Sequence, residues 1–260
     1  MAITDKLTAI ANTIRSRNGT TDTMTLDEMS NAIKNIQTGM VTSDNRCTKI
    51  PDYLFYDCTN LALTELPSGI TSIGTYAFYG CANLALTELP SGLTSIGSSA
   101  FHGCFKLALT ELPSGITSIG EGTFYSCYKL ALTKLPSGIT SIGDNAFCKC
   151  TNLSLTELPS SITSIEDFTF CNCSNLALME LPSGVTSIGM SAFYGCTNLA
   201  LTELPSGVTS IGYNAFKDCT SLTSLTFKGT HNIIDSTAFI GCTNLTTINV
   251  PWAEGAVENA

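Results

Sequence analysis

Nine of the twelve cysteines recur every 23 residues, and this spacing constrains the fold more than any other feature of the sequence. The series is Cys58, Cys81, Cys104, Cys127, Cys150, Cys173, Cys196, Cys219 and Cys242. A fixed period over most of a chain indicates a repeat array, in which stacked units share a core that no single unit could bury. We therefore predict a repeat solenoid over residues 47–260, with a cap at its C-terminal end.

The apolar positions of the repeat indicate which side chains face that core. In the unit that begins at Leu61, apolar residues occupy positions 1, 6, 10, 13, 17, 18 and 21, and they recur with few changes in the units that follow. Pro67 and Gly69 break the first extended segment, and Gly74 precedes a segment with helical spacing. Each coil is therefore predicted to contain a strand, a turn, a short strand and a helical turn. Parallel strands ~4.8 Å apart in about nine coils give a rod roughly 40 Å long.

The repeat Leu-x-x-x-x-Leu-Pro-x-x-Ile-Thr-Ser-Ile-Gly-x-x-Ala-Phe-x-x-Cys resembles the BspA-like (Treponema-type) leucine-rich repeat. The resemblance covers residue 47 to about residue 250. It implies an α/β, right-handed solenoid with 23-residue coils that binds proteins or cell surfaces and performs no chemistry. The family usually has an apolar residue at position 4, where this chain has threonine, as at Thr64. Leucine at position 3 could compensate, which leaves the strand register open.

Residues 1–38 do not repeat, and their apolar spacing predicts a hairpin of two short helices. One apolar seam runs from Ile3 to Ile14, and Thr25 begins a capping box before a second seam. Residues 39–46 form a polar linker. The hairpin could cap the first coil, attach the protein to a larger assembly, or do both. Its seams could also pair between chains, which makes an oligomer possible.

Both ends of the chain carry a second resemblance. Segments 5–15 and 26–33 are similar to the N-terminal module of phage and prophage tail-associated proteins of gut Firmicutes. Segment 246–257 is similar to the end of the repeat region in those proteins. The resemblance implies a virion tail component whose residues 1–38 contact other tail proteins and whose solenoid recognises a host cell-surface protein or glycan. A bacterial adhesin or interaction scaffold at the cell surface is the alternative.

Composition argues against several classes of partner. The chain carries 21 acidic and 12 basic side chains, a net charge of -9, and has no basic patch for nucleic acid or an anionic membrane. No apolar run approaches the ~18 residues that a membrane-spanning helix needs. The N-terminus lacks the apolar stretch of a secretory signal. We therefore expect synthesis in the bacterial cytoplasm without a signal peptide, no membrane insertion and no nucleic-acid partner.

No residues in the sequence have the pattern of a catalytic site. His102 and His231 have no recurring serine, cysteine or acidic partner, and the glycines are turn residues at repeat spacing. Identical repeats also lack two carboxylates in different environments, which acid–base catalysis needs. We expect no enzymatic activity and no cofactor.

Two additional cysteines, Cys148 and Cys171, stand at position 19 of adjacent units. Each lies two residues before a cysteine of the regular series, Cys150 or Cys173. Because position 19 is expected to face outward and position 21 inward, the four thiols should not converge on a zinc ion. A surface disulfide between Cys148 and Cys171 fits the spacing better, because adjacent coils place their Cα atoms about 5 Å apart.

Position 5 forms a charged row along the rod. Its members are Glu65, Glu88, Glu111, Lys134, Glu157, Glu180 and Glu203. Like charges ~5 Å apart repel each other by roughly 0.8 kcal/mol in water. A solvated, splayed row and a row that binds a divalent cation are both open interpretations.

The units differ mainly at positions 15, 16, 19, 20 and 22, most of which we expect to project outward. The candidate ligand-binding residues there are Tyr76, Tyr79, His102, Phe105, Tyr125, Tyr128, Phe168, Tyr194 and Tyr213. Five of them cluster in three consecutive coils: Tyr76, Tyr79, Phe105, Tyr125 and Tyr128. Exposed aromatic clusters are frequent in binding surfaces. Drift at tolerant surface positions is the alternative.

Overall fold

A computed structural model describes residues 48–229 and 233–250, and in these residues the chain winds into a parallel β-solenoid of about nine coils. One line of two-residue strands consists of β1 (Lys49–Ile50), β2 (Ser72–Ile73), β3 (Ser95–Ile96), β4 (Ser118–Ile119), β5 (Ser141–Ile142), β6 (Ser164–Ile165), β7 (Ser187–Ile188), β9 (Ser210–Ile211) and β11 (Ile233–Ile234). A second line near the C-terminal end consists of β8 (Glu203–Leu204), β10 (Ser224–Phe227) and β12 (Thr247–Asn249). The predicted solenoid of 23-residue coils is confirmed.

The strand register is one repeat between neighbouring coils. Strand β2 pairs in parallel with β1 and β3, so that Ile73 lies between Ile50 and Ile96. The sheets run in the orders β1-β2-β3, β4-β5, β11-β9-β7-β6 and β12-β10-β8. As a result, each side chain lies beside the residue at the same position of the next coil.

The core consists of apolar columns that follow this register. Phenylalanines at position 18 stack from Phe55 to Phe239 with ring centroids 5.2 to 5.7 Å apart. Leucine at position 3 belongs to this core, as Leu86 shows, whereas its neighbour Thr87 at position 4 is exposed. Leucine at position 3 therefore supplies the buried apolar side chain that the family usually has at position 4. In this strand register, position 3 faces the core and position 4 faces the solvent.

The segment predicted to be a helical turn is instead a series of tight turns. Tyr76 at position 16 and Gly80 at position 20 have φ values of 55° and 72°. Position 20 is left-handed in the other coils described, and so is position 16 except at Thr237 in the last coil. A left-handed residue ends each turn after one hydrogen bond within the coil. Alternate backbone N–H groups therefore donate to carbonyls of the next coil instead. Ala77 N–H donates to the Gly74 carbonyl within the coil, whereas Phe78 N–H donates to the Ala100 carbonyl of the next coil at 2.8 Å. The α/β expectation is thus corrected: the described residues form strands and turns.

Three earlier predictions lie outside the described residues: the hairpin at 1–38, the linker at 39–46 and the cap after residue 250. His231 lies outside them as well. Within the part of the chain that is described, no helix is long and apolar enough to span a bilayer.

Replacing Phe147 by alanine should destabilise the solenoid strongly. Phe147 is fully buried in the middle of the phenylalanine column, between Phe124 and Phe170. Truncating a buried phenylalanine costs about 3–5 kcal/mol, because a cavity replaces its contacts. Guanidinium denaturation followed by circular dichroism measures the effect. The matched control is Phe105→Ala, which removes a ring that is 43% exposed and should cost far less. Equal losses for both variants would contradict the column as the source of stability.

Candidate binding surface on the outer turns

Position 19 carries four ring side chains in consecutive coils, Tyr56, Tyr79, His102 and Tyr125. Their centroids are 4.9, 4.5 and 4.4 Å apart along the series, and the interplanar angles are 7°, 21° and 7°. This spacing follows from the coil register, which places each ring over the ring of the neighbouring coil. We call these four residues the position-19 stack.

A second short stack widens this surface at its N-terminal end. Tyr53 and Tyr76, both at position 16, lie 5.0 Å apart with their rings nearly parallel. Tyr76 also approaches Tyr79 of the position-19 stack at 5.6 Å. The two tyrosines and the position-19 stack together form the aromatic patch, which comprises Tyr53, Tyr56, Tyr76, Tyr79, His102 and Tyr125.

The inner rings of the position-19 stack present edges rather than faces to the solvent. Tyr79 and His102 each have a ring on both faces. The far side of Tyr125 is approached by the Lys149 ammonium, 5.2 Å from the ring centroid. Such a cation–π contact stabilises by roughly 0.5–1 kcal/mol at an exposed position. The inner part of the position-19 stack therefore offers a partner ring edges and tyrosine hydroxyls, with one cation at its end.

The charge of His102 is set by its place in the stack. Partial burial lowers the pKa of His102, and the positive charge of Lys149 lowers it further. The pKa of Lys149 is raised, mainly by its hydrogen bond to Tyr125. The stack therefore favours a neutral imidazole beside a charged lysine.

The remaining candidate residues are distributed over other parts of the rod. Phe105 and Tyr128 at position 22 make a separate exposed pair with centroids 5.2 Å apart. Tyr194 lies under the Lys217 ammonium at 5.6 Å, while Phe168 and the exposed Tyr213 lie in other coils. Of the five residues predicted to cluster, three are therefore in the aromatic patch.

Tyr53 and Tyr56 were not among the predicted site residues, although both belong to the aromatic patch. They lie in the incomplete unit before Leu61, where they occupy positions 16 and 19. Extending the repeat frame backward by one unit is the sequence signal that would have found them.

Cys148 and Cys171 continue position 19 beyond Tyr125, but they do not reach the surface as expected. Their side chains are only 4% and 6% exposed. A thiol is much shorter than the rings and lysines at positions 19 and 20, so the neighbouring side chains cover it. Both residues are thiols in the structure, and their pairing stays a prediction.

Comparison with known proteins identifies the solenoid. The family described as "BspA type Leucine rich repeat region (6 copies)" matches residues 48–177 and 140–257. The chain belongs to this family. Leucine-rich repeat solenoids of this kind are typically non-enzymatic scaffolds that bind proteins.

Several solved structures are similar to this chain. The chain is 34% identical to a leucine-rich repeat protein of Treponema pallidum, with 61% of this chain and 74% of that chain covered and a TM-score of 0.53. A leucine-rich repeat protein of Bacteroides ovatus is 25% identical, with 69% and 64% of the two chains covered and a TM-score of 0.35. The pneumococcal vaccine antigen PcpA is 19% identical, with coverage of 77% and 65% and a TM-score of 0.39. No curated protein matches the chain.

The charged row of the leucine-rich repeats lines an open groove of 1090 Å³. Residues of positions 3 to 8 form its walls, among them Glu88, Glu111 and Lys134. Farther along the row, Glu203 pairs with Lys228 at 2.6 Å, which neutralises one carboxylate. Within residues 48–229 and 233–250, no three His, Cys, Asp or Glu side chains converge as metal ligands would. Whether the row is solvated or binds a cation stays a prediction.

Acid should weaken the stack through His102. The folded pKa of His102 lies below the ordinary value of 6.5, so the unfolded chain takes up its proton first as the pH falls. The stabilising contribution is therefore fully present above pH 6.5 and is lost as the pH falls from there toward the folded pKa. Thermal unfolding of the wild type and of His102→Tyr at about pH 8 and about pH 5.5 measures this effect.

The tyrosine variant keeps a ring at this position but has no group that titrates in this range. The wild type should therefore lose more thermal stability between the two pH values than the variant does. Equal losses would show that protonation of His102 is not coupled to the stack.

Proposed function

We propose that this protein acts by recognising another protein through the aromatic patch. The observation that carries the proposal is a rigid run of four stacked rings across four coils, bordered by two further tyrosines. Tyrosine contributes large contact area at low cost in side-chain entropy, and residues of this type dominate the energetics of interfaces. Stacking lowers that cost further, because the rings are already ordered before a partner arrives.

The ring geometry favours a protein partner over a glycan. A sugar ring packs its C–H face flat against an exposed aromatic face, but both faces of Tyr79 and His102 are covered. Ring edges carry partial positive charge, and tyrosine hydroxyls donate and accept hydrogen bonds. Edges and hydroxyls match the carbonyls, carboxylates and apolar side chains of a protein surface.

We further propose that the protein is a phage or prophage tail component and that its partner is a protein on the host cell surface. The resemblance of segments 5–15, 26–33 and 246–257 to tail-associated proteins supports this setting. Residues 1–38 would then attach the protein to the particle, while the solenoid presents the aromatic patch to the host.

Removing two rings of the stack should abolish recognition without unfolding the solenoid. The variant is Tyr79→Ala with Tyr125→Ala, and both residues lie outside the apolar core. Each truncated hot-spot ring typically costs about 2 kcal/mol or more, so affinity should fall at least about 100-fold. Flow cytometry with labelled protein on a panel of gut Firmicutes cells measures the binding.

The matched control is Phe168→Ala with Tyr213→Ala, which removes two rings outside the aromatic patch and should bind as the wild type does. Treating the cells with protease should abolish binding of the wild type. Binding that survives protease but not periodate would indicate a glycan instead. Wild-type affinity in the patch variant would reject the patch as the binding surface.

The assembly role of the N-terminal residues is tested separately. Phage particles induced from a lysogen should contain the full-length protein, and mass spectrometry of the purified particles detects it. A truncated chain that begins at Met40 should keep the solenoid, as circular dichroism checks, but be missing from the particles. Recovery of the protein in the cell-envelope fraction, and not in particles, would favour the adhesin.

A further inference from the structure

Two thiols occupy position 19 where the aromatic stack ends. Cys148 and Cys171 follow Tyr125 in successive coils, and the N–H of Lys149 donates to the Cys171 carbonyl at 2.7 Å. This hydrogen bond places the two cysteines side by side in the same column. Rings in the preceding coils of this column lie 4.4 to 4.9 Å apart. Coils ~4.8 Å apart bring the Cα atoms within the 4.4–6.8 Å range that a disulfide requires.

The cysteines at position 21 make a different contact. Cys127, Cys150 and Cys173 are fully buried, and each donates its S–H to a phenylalanine carbonyl of the preceding coil at 3.0 to 3.1 Å. Burial raises the pKa of each of these thiols, so the reactive thiolate is suppressed. These cysteines are therefore small core residues held in place by the backbone.

Cys148 and Cys171 interact with each other instead. The Cys148 thiol donates a hydrogen bond to the Cys171 sulfur, which raises the pKa of Cys148 and lowers that of Cys171. Asn172 Nδ2 also donates to the Cys171 sulfur at 3.3 Å, and the Lys149 ammonium contributes a favourable charge. The pair therefore consists of one sulfur that three groups stabilise as a thiolate and one thiol that is its hydrogen-bond donor.

We propose that Cys148 and Cys171 form an oxidation site that takes a small hydroperoxide and closes to a disulfide between adjacent coils. The Cys171 thiolate attacks the terminal peroxide oxygen; the O–O bond breaks, and a sulfenic acid forms as hydroxide leaves and takes up a proton. The Cys148 sulfur then attacks the sulfenic sulfur; the S–O bond breaks, the S–S bond forms, and water leaves. In total, two thiols and one hydrogen peroxide give one disulfide and two waters.

Burial limits which oxidants can reach the site. With exposures of 4% and 6%, the pair admits hydrogen peroxide more readily than a bulky disulfide reagent. Selectivity among the eleven cysteines that the structure describes then follows from the thiolate character of Cys171 and from the thiol beside it.

Peptide mapping of the full chain tests the proposal. The fully reduced protein is treated with hydrogen peroxide, unfolded, alkylated and digested with trypsin. Cleavage after Lys149 separates Cys148 from Cys150, so a cross-link to Cys171 joins two peptides and can be located by fragmentation. The expected result is one disulfide between Cys148 and Cys171 that a thiol reductant reopens. The position-21 cysteines should stay reduced during the peroxide treatment and therefore be found alkylated. A disulfide to another cysteine would overturn the proposal. So would oxidation of Cys148 and Cys171 that is no faster than oxidation of the position-21 cysteines.

Two single variants distinguish the roles of the pair. Cys148→Ser keeps Cys171 but removes the second thiol, so a sulfenic acid should accumulate at Cys171 and be trapped by dimedone when the oxidised protein is unfolded in its presence. Cys171→Ser keeps only the donor thiol, and peroxide should then consume Cys148 about tenfold more slowly than Cys171 reacts in the other variant. Equal rates in the two variants would contradict the assignment of Cys171 as the attacking sulfur. Circular dichroism checks that both variants are folded.

Discussion

The backbone hydrogen bonds between coils are the interaction on which the rest of the structure depends, because they fix the register at one repeat. With that register, Ser72 pairs with Ser95 and Phe78 stacks on Phe101. Any residue type that occurs twice in succession at one position therefore becomes a contact pair. The phenylalanine column, the position-19 stack, the charged row and the thiol pair all follow from this one geometric rule. Like-on-like contact benefits aromatic and apolar side chains, whereas like charges can only be tolerated where water reaches them.

The left-handed residues at positions 16 and 20 give the outer turns their function. A helix would satisfy its own amides, and the coils would then be joined along that side only by side chains. The tight turns instead send the amides of Tyr76 and Phe78 to the next coil, at 3.0 and 2.8 Å. Position 18 then points into the core and position 19 lies at the rim, on a backbone that is hydrogen-bonded to both neighbours. A ring at position 19 is consequently held on a rigid support, which is what a recognition surface requires.

The sequence was sufficient for the period, the core columns and the outward face, because repetition shows directly which positions tolerate change. The helical prediction for the outer turns was wrong because the spacing of Ala77, Phe78 and Cys81 is the same in a helix and in these turns. Glycine, asparagine and aspartate at most copies of position 20 were a signal for left-handed residues, whereas Tyr76 at position 16 carried none. The repeat frame also placed Cys148 correctly at position 19, but it predicted an exposed thiol where the structure has a buried one. Depth depends on how long the neighbouring side chains are, and that is a property of the packed coils and not of the period.

Position 19 carries two kinds of site in successive coils, a stack of rings and a pair of thiols. Where it carries rings, stacking occupies their faces and leaves edges for a partner; where it carries cysteines, the same proximity leaves each thiol with the other as its neighbour. Lys149 stands at the junction, because its ammonium lies over Tyr125 and its charge favours the Cys171 thiolate. Closing the disulfide would consume both thiols, so the ammonium would then contact only the aromatic ring. The two sites therefore share one lysine, which contacts the last ring of the stack and favours the thiolate form of Cys171.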